Sequence, residues 1–286
     1  MTSPIDIQGR TFFVTGANSG IGRAAVEALV ARGGSVVLAA RSEARTLPVI
    51  DALRQRWPEA DVHFVQLDLA SLAAVRDAVE RFLATGRPVD VLINNAGMAG
   101  ASGLSVDGYE IAFATNHLGP YLLTELLLPR LREAPQGRIV NVSSDAHRIV
   151  KQIDWSLLDH PVPRRRTFAQ YGLTKLMNVL HAKELARRLA GTRATTYAVH
   201  PGAVASNVWR ELPRAVQWVI KLVTISNEEG ARTPVYCATA PELSASSGRY
   251  YERCREVAPS PLAEDESLAR ELFARSDAMI RRALGQ

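Results

Sequence analysis

Tyr171 and Lys175, in the stretch Tyr-Gly-Leu-Thr-Lys, are residue types that together can manage a proton near neutral pH. The flanking Phe168, Leu176, Val179, Leu180 and Leu189 recur at helical spacing. Residues i and i+4 of a helix share one face, so the phenol and the ammonium should stand on one wall. A free tyrosine ionises near pH 10. A cation about 5 Å away, at an effective dielectric of ~20, favours phenolate by roughly 3 kcal/mol, or about two pKa units. That shift brings the phenol into range for general acid–base catalysis. Alone, the same spacing also describes a solvated pair on a helix surface, so its meaning depends on the companion motifs.

A glycine-rich turn near the other end of the chain supplies one companion. Thr11 to Val14 is an apolar, β-prone run, followed by Thr15-Gly16-Ala17-Asn18-Ser19-Gly20-Ile21-Gly22 and then by Ala24, Ala25, Val26, Ala28, Leu29 and Val30 at helical spacing. Strand, tight turn and helix in that order bring bare N–H groups and a helix N-terminus against a pyrophosphate, with glycine where a Cβ would block the approach. The Gly-x-x-x-Gly-x-Gly spacing departs from the general dinucleotide fingerprint, and an ordinary strand-to-helix turn is the competing reading. The run Ser35 to Ala40 reads as a buried parallel strand, and Arg41 stands at its tip. An acid there would bind the ribose hydroxyls of NAD. A guanidinium instead forms charge-assisted bonds to a 2′-phosphate, so Arg41, with Arg45 nearby, favours NADP over NAD. The alternative for Arg41 is a solvated loop cation.

Thr15 to Gly22, Asp68-Leu69, Asn94-Asn95-Ala96-Gly97, Asn116, Ser143-Ser144, Tyr171-x-x-x-Lys175 and Pro201-Gly202 follow one another in an order that resembles the short-chain dehydrogenases/reductases. The resemblance runs from about Gly9 through Ser247-Gly248-Arg249-Tyr250. Within that family, Ala39-Ala40-Arg41, Thr115 to Gly119 and Asn141 to His147 look most like the retinol dehydrogenase and protochlorophyllide reductase neighbourhood.

The resemblance implies roles. Tyr171 exchanges a proton with the substrate oxygen, Lys175 lowers its pKa and binds the nicotinamide ribose, and Ser144, rather than Ser143, hydrogen-bonds that oxygen. Asn116 holds a helix distortion and a water that links Lys175 to solvent. Around the cofactor it implies Gly16, Asn18, Ser19, Gly20, Ile21 and Gly22 at the pyrophosphate and Arg41 at the adenosine end. Asp68 and Leu69 lie at the adenine, and Asn95, Ala96 and Gly97 beneath its ribose. Pro201, Gly202 and Ser206 lie over the nicotinamide, Ser206 replacing a more frequent threonine. Serines, asparagines and aspartates in such places also commonly satisfy loops and helix ends.

A chain of 286 residues with 47% hydrophobic content suffices for one α/β unit. Alternating strand and helix patterns imply a single doubly wound parallel sheet, a Rossmann fold, with helices on both faces and ligands beyond the carboxyl ends of the strands. Residues 1–286 are therefore read as one catalytic domain. Residues 203–228, with Val208, Trp209, Leu212, Val216, Trp218, Val219, Leu222 and Val223, would form a small helical substrate lid. His147 to Gln170 is a long connection expected to border the mouth of the site, and His200 reads as a buried structural histidine.

Cys237 and Cys254 are too few for a disulfide framework, and no metal-ligand pattern is visible. The 34 basic residues are dispersed among 29 acids, which argues against a nucleic-acid partner, and Arg164-Arg165-Arg166 reads as a solvated loop. No stretch is apolar enough to span a bilayer, and the first residues lack a secretory pattern, so a cytoplasmic location is expected. Homo-oligomerisation is left open. The expected chemistry is metal-free hydride transfer between NADP(H) and a small-molecule carbonyl or alcohol, most simply reduction of a bulky apolar or aromatic ketone or aldehyde. Reduction of a C=C or C=N bond uses the same residues. A nonenzymatic NADP(H) sensor is the reading from another class.

Overall fold

The computed structural model describes residues 7–202 and 225–285. Its frame is an eight-stranded sheet of order β3-β2-β1-β4-β5-β6-β7-β8. The strands are β1 (Thr11–Thr15), β2 (Ser35–Ala40), β3 (Val62–Gln66), β4 (Val91–Asn94), β5 (Arg138–Val142), β6 (Thr195–His200), β7 (Arg249–Glu252) and β8 (Arg255–Glu256). All neighbours pair in parallel except β7 with β8, which are antiparallel. Parallel strands in such a sheet are covered on both faces: β2 reads as a near-continuous apolar run, and β1 and β6 are buried at every residue.

The period of two in each strand divides these runs between two cores. Phe13, Val37, Leu92, Ile139 and Ala198 point into one, while Phe12, Val14, Val36, Leu38, Val91, Ile93, Val140 and Val199 point into the other. The second core is closed by α1 (Gly20–Val30), α2 (Glu43–Arg56) and α7 (Asn227–Thr239). The first is closed by α3 (Leu72–Leu83), α5 (Gly119–Glu133), α6 (Thr167–Arg188) and α8 (Glu266–Leu284). Phe13 meets Phe82 edge-on at 5.2 Å, and truncating such a fully buried ring to alanine costs about 3–5 kcal/mol.

Strand order reverses direction between β1 and β4, the switch point at which doubly wound sheets open a crevice. The glycine turn follows β1 and the Asn95–Gly97 segment follows β4, so both emerge at that opening. The short helix α4 (Ile111–Phe113) runs into α5 through a π-helical turn, Ala114–Leu118. Asn116 sits in the middle of that turn. The C-terminal helix α8 packs along α6 and is tied to α5 by Tyr121 Oη donating to Asp277 at 2.7 Å and to the π turn by His117 Nε2 meeting Ser276 Oγ at 3.1 Å. No described helix is long and apolar enough to cross a membrane.

Candidate active site

The glycine turn takes its shape from backbone that only glycine adopts readily. Gly16 and Gly20 have φ of 64° and 55°. A Cβ on Gly22 would lie 2.3 Å from the Gly16 carbonyl oxygen and 2.5 Å from Asn95 Nδ2, so α1 can start this close to β1 only without one. Ser19, at the N-cap of α1, makes no capping bond with its side chain, which leaves first-turn amides facing the crevice. The turn is stapled to the end of β4: Thr15 Oγ1 accepts from Asn95 N at 3.0 Å and Ala96 N at 2.9 Å, while Asn95 Nδ2 donates to Thr15 O at 2.8 Å. Asn18 Nδ2 donates to Thr46 Oγ1 at 3.0 Å, linking the turn to α2.

A crevice of about 630 Å³ runs from this turn to α6. Gly16, Asn18, Ser19, Gly20, Ile21, Gly22, Arg41, Asp68, Leu69, Asn95, Ala96, Gly97, Ser144, Tyr171, Lys175, Pro201 and Gly202 all line it. Arg41 and Arg45 are exposed at one end. Asp68 Oδ1 accepts from Ala70 N at 3.0 Å, a local turn bond that leaves its other oxygen available. Asn116 is not part of the lining; it stands behind Gly97, whose Cβ would lie 3.5 Å from Asn116 Oδ1 and 3.3 Å from Lys175 Nζ. Ser206 and residues 203–224 of the expected lid lie outside the described residues.

At the α6 end, Tyr171 and Lys175 are both buried, and Lys175 Nζ is 5.5 Å from the Tyr171 ring centre. Lys175 Nζ donates to Val142 O at 2.8 Å, and Asn178 Nδ2 donates to the same oxygen at 3.2 Å. Ser143 and Ser144 part company. Ser143 Oγ donates to Lys175 O at 2.7 Å and is spent on holding α6, whereas Ser144 shares a side-chain hydrogen bond with Tyr171. Asn116 Oδ1 accepts from Met98 N at 2.8 Å, and its Nδ2 donates to Met98 O at 2.9 Å and to Thr174 Oγ1 at 3.0 Å. The π turn thus presents its amide to the loop behind the crevice and to α6 together.

The electrostatics differ from the sequence expectation in one respect. Burial pushes the Tyr171 phenol up to about 12, with the Ser144 bond acting the other way, and burial lowers Lys175 to about 8. Desolvation is the largest influence on both groups, which are buried where α6 packs on the sheet. At neutral pH the phenol therefore holds its proton and is poised as a donor.

Sequence reasoning missed several participants. Thr174 and Asn178 act through single hydroxyl or amide groups that no spacing rule singles out, although Asn178 follows Lys175 at i+3 on the same helix face, and the glycine motif that contains Thr15 assigns its hydroxyl no role of its own. The fold also gathers Asp145, His200 and Glu252, whose ligand-type atoms lie within 4.8 Å of one another. Arg148 Nε already meets Asp145 at 3.0 Å and supplies a positive charge there. Of the connection from His147 to Gln170, Ile149 and Phe168 line the crevice and are 47% and 44% exposed, while Leu158 and Val162 are buried. The mouth is thus apolar beside Met98.

The chain is similar to known proteins over most of its length. The family model described as short chain dehydrogenase matches residues 10–156. Dehydrogenase/reductase SDR family member 13 of Bos taurus is 42% identical over 279 residues, covering 94% of this chain and 73% of the relative. Human retinol dehydrogenase 13 is 37% identical over 287 residues, covering 97% and 86%. A crystal structure of an uncharacterized protein from Mycobacterium paratuberculosis superposes with a TM-score of 0.76 at 31% identity, covering 98% of this chain and 96% of that one.

Proposed function

Because this chain belongs to the short-chain dehydrogenase family, an oxidoreductase family that uses a nicotinamide cofactor, we propose that it is an NADP(H)-dependent carbonyl reductase acting on bulky apolar ketones or aldehydes. The observation that carries the reading is the convergence of Ser144, Tyr171 and Lys175 on the crevice that also holds the glycine turn. The donor set fits the cofactor: a glycine turn packed so closely that a Cβ on Gly22 would meet the Gly16 carbonyl oxygen, amides at the start of α1 that the Ser19 side chain leaves uncapped, and two guanidiniums, Arg41 and Arg45, at one end of the crevice. When bound, the nicotinamide supplies the hydride.

The chain's own groups do the rest. Gly16 to Gly22 and α1 would hold the pyrophosphate, and Arg41 and Arg45 the 2′-phosphate. Lys175, fixed by Val142, would bind the nicotinamide ribose. Ser144 donates to the carbonyl oxygen, and Tyr171, protonated at neutral pH, delivers its proton there as charge develops. One preorganised donor of this kind contributes about 3–4 kcal/mol to the transition state. Ile149, Phe168 and Met98 offer apolar contact to the rest of the substrate. Retinol dehydrogenase 13 is named for an apolar alcohol, which supports that substrate class.

A panel of bulky apolar ketones and aldehydes, assayed by NADPH oxidation with NADH in parallel, tests the proposal. The expected result is turnover with NADPH preferred. Binding of NADPH without turnover of any carbonyl, or a clear preference for NADH, would overturn it.

A further inference from the structure

We infer that His147 is a positioning residue for Ser144, clamping the turn that carries the serine to the segment 257–265 far along the chain. The inference rests on the role proposed for Ser144.

The imidazole is fully buried. Its Nδ1 lies 2.8 Å from Ser144 O, and its Nε2 lies 2.9 Å from the backbone nitrogen of Ser260. A backbone N–H only donates, so Nε2 is the bare acceptor and Nδ1 carries the hydrogen, which it donates to the Ser144 carbonyl. The backbone N–H of His147 donates to that same carbonyl at 3.0 Å. The ring stands edge-on to Tyr250 of β7 at 5.0 Å, which removes its freedom to turn. The next residue repeats the attachment: Arg148 Nη2 donates to Ala258 O at 2.7 Å, and its Nε to Asp145 at 3.0 Å. Two consecutive side chains therefore bind the 144–148 turn to the strand of chain that leads into α8.

The arrangement matters because the serine hydroxyl must meet both Tyr171 and the substrate oxygen, and a misplacement of about 1 Å can cost on the order of a hundredfold in rate. Only the neutral imidazole fits. A second proton would set N–H against the Ser260 N–H and release the clamp. The charged and titratable groups around the ring are Asp145 and Arg148 on its own turn, His200 at the end of β6 and the Tyr250 hydroxyl, which meets Asp145 at 3.4 Å. From α6, Tyr171 bonds Ser144. Burial, Arg148 and His200 favour the neutral ring, while the Ser144 bond and Asp145 favour the charged one, and burial is the largest influence.

Four proteins decide the matter: the wild type, His147→Phe, His147→Asn and Ser144→Ala, each measured for NADPH affinity, kcat, KM and the pH profile of kcat. Phe fills the ring's place with neither bond, and Asn keeps a donor for Ser144 alone. Expected are a kcat about tenfold or more lower in His147→Phe at near-wild-type NADPH affinity, partial recovery in His147→Asn, and loss of the wild type's acid limb from the profile of both. Should His147→Phe fail to fold, His147→Asn carries the test through its lower kcat and altered acid limb. Wild-type kcat and pH profile in the His147 variants, with Ser144→Ala impaired, would overturn the clamp. An unimpaired Ser144→Ala would instead overturn the role of the serine.

Discussion

Lys175 donates to the carbonyl oxygen of Val142 at 2.8 Å, which tethers the ammonium of α6 to the last residue of β5. A lysine stem carries several rotatable bonds, and this tether, shared with Asn178 at 3.2 Å, holds it in one place under Gly97. The sheet therefore sets where the charge stands relative to Tyr171.

That tether has a consequence for pH. Burial brings Lys175 down to about 8, so its ammonium is present below that pH and lost above it, while Tyr171, pushed up to about 12, stays protonated throughout. Carbonyl reduction should accordingly be flat through neutrality and decline above about pH 8. The profile of kcat/KM for NADPH-driven reduction checks this; a rate still level at pH 10 would contradict it. Lys175→Met should lower kcat by about a hundredfold or more at neutral pH.

Arg41 is exposed at one end of the crevice, with Arg45 beside it, and the proposed NADP(H) preference assigns it the 2′-phosphate. Hydrogen bonds to charged groups contribute about 1.5–3 kcal/mol, so Arg41→Ala should weaken NADPH binding by about ten- to a hundredfold and leave NADH nearly unchanged. Titrating both dinucleotides into each protein measures it. Equal losses for the two would remove Arg41 from the 2′-phosphate.

Gly22→Ala places a methyl group 2.3 Å from the Gly16 carbonyl oxygen. Backbone must shift to accept it, at a cost of about 1–3 kcal/mol. Both the melting temperature and the affinity for NADPH should fall; an unchanged affinity would show that the turn does not cradle the pyrophosphate.

Much of this was legible in the sequence because it is local. The glycine turn, the alternation that divides Phe12 from Phe13, and the helix spacing of Tyr171 and Lys175 depend on neighbours within a few residues. The order of strands, and with it the crevice at the β1/β4 switch point, follows from the repeated strand–helix pattern. What stayed hidden depends on distant packing. No local rule tells how deeply α6 sinks the Tyr171–Lys175 pair, so the expected fall in the phenol's pKa gave way to a rise by desolvation. The placement of Asn116 behind Gly97 requires the π turn, and the meeting of Asp145, His200 and Glu252 joins the ends of β5, β6 and β7.

Away from the crevice, His117 and His181 lie buried 6.1 Å apart under α8. Burial holds His117 well below its ordinary value, with His181 adding to it, and brings His181 down to about 3, with Arg188 adding to it. Both are neutral in the fold and bind protons only when it opens. Their contribution to stability is thus fully present above pH 6.5 and is lost as the pH falls below it, by up to about 1.4 kcal/mol per pH unit for each group. Urea unfolding from pH 7 to 4 should show this decline, and His181→Gln should make it shallower. A stability that is level or rises on acidification would contradict the neutral pair.

The account stands most directly on one substitution, Tyr171→Phe, measured for NADPH binding and for turnover of a carbonyl that the wild type reduces. Removing only the hydroxyl should leave the dissociation constant within a fewfold of wild type and lower kcat by about a hundredfold or more. Turnover retained within a fewfold would show that the proton comes from elsewhere and that the chemistry assigned to this crevice is wrong.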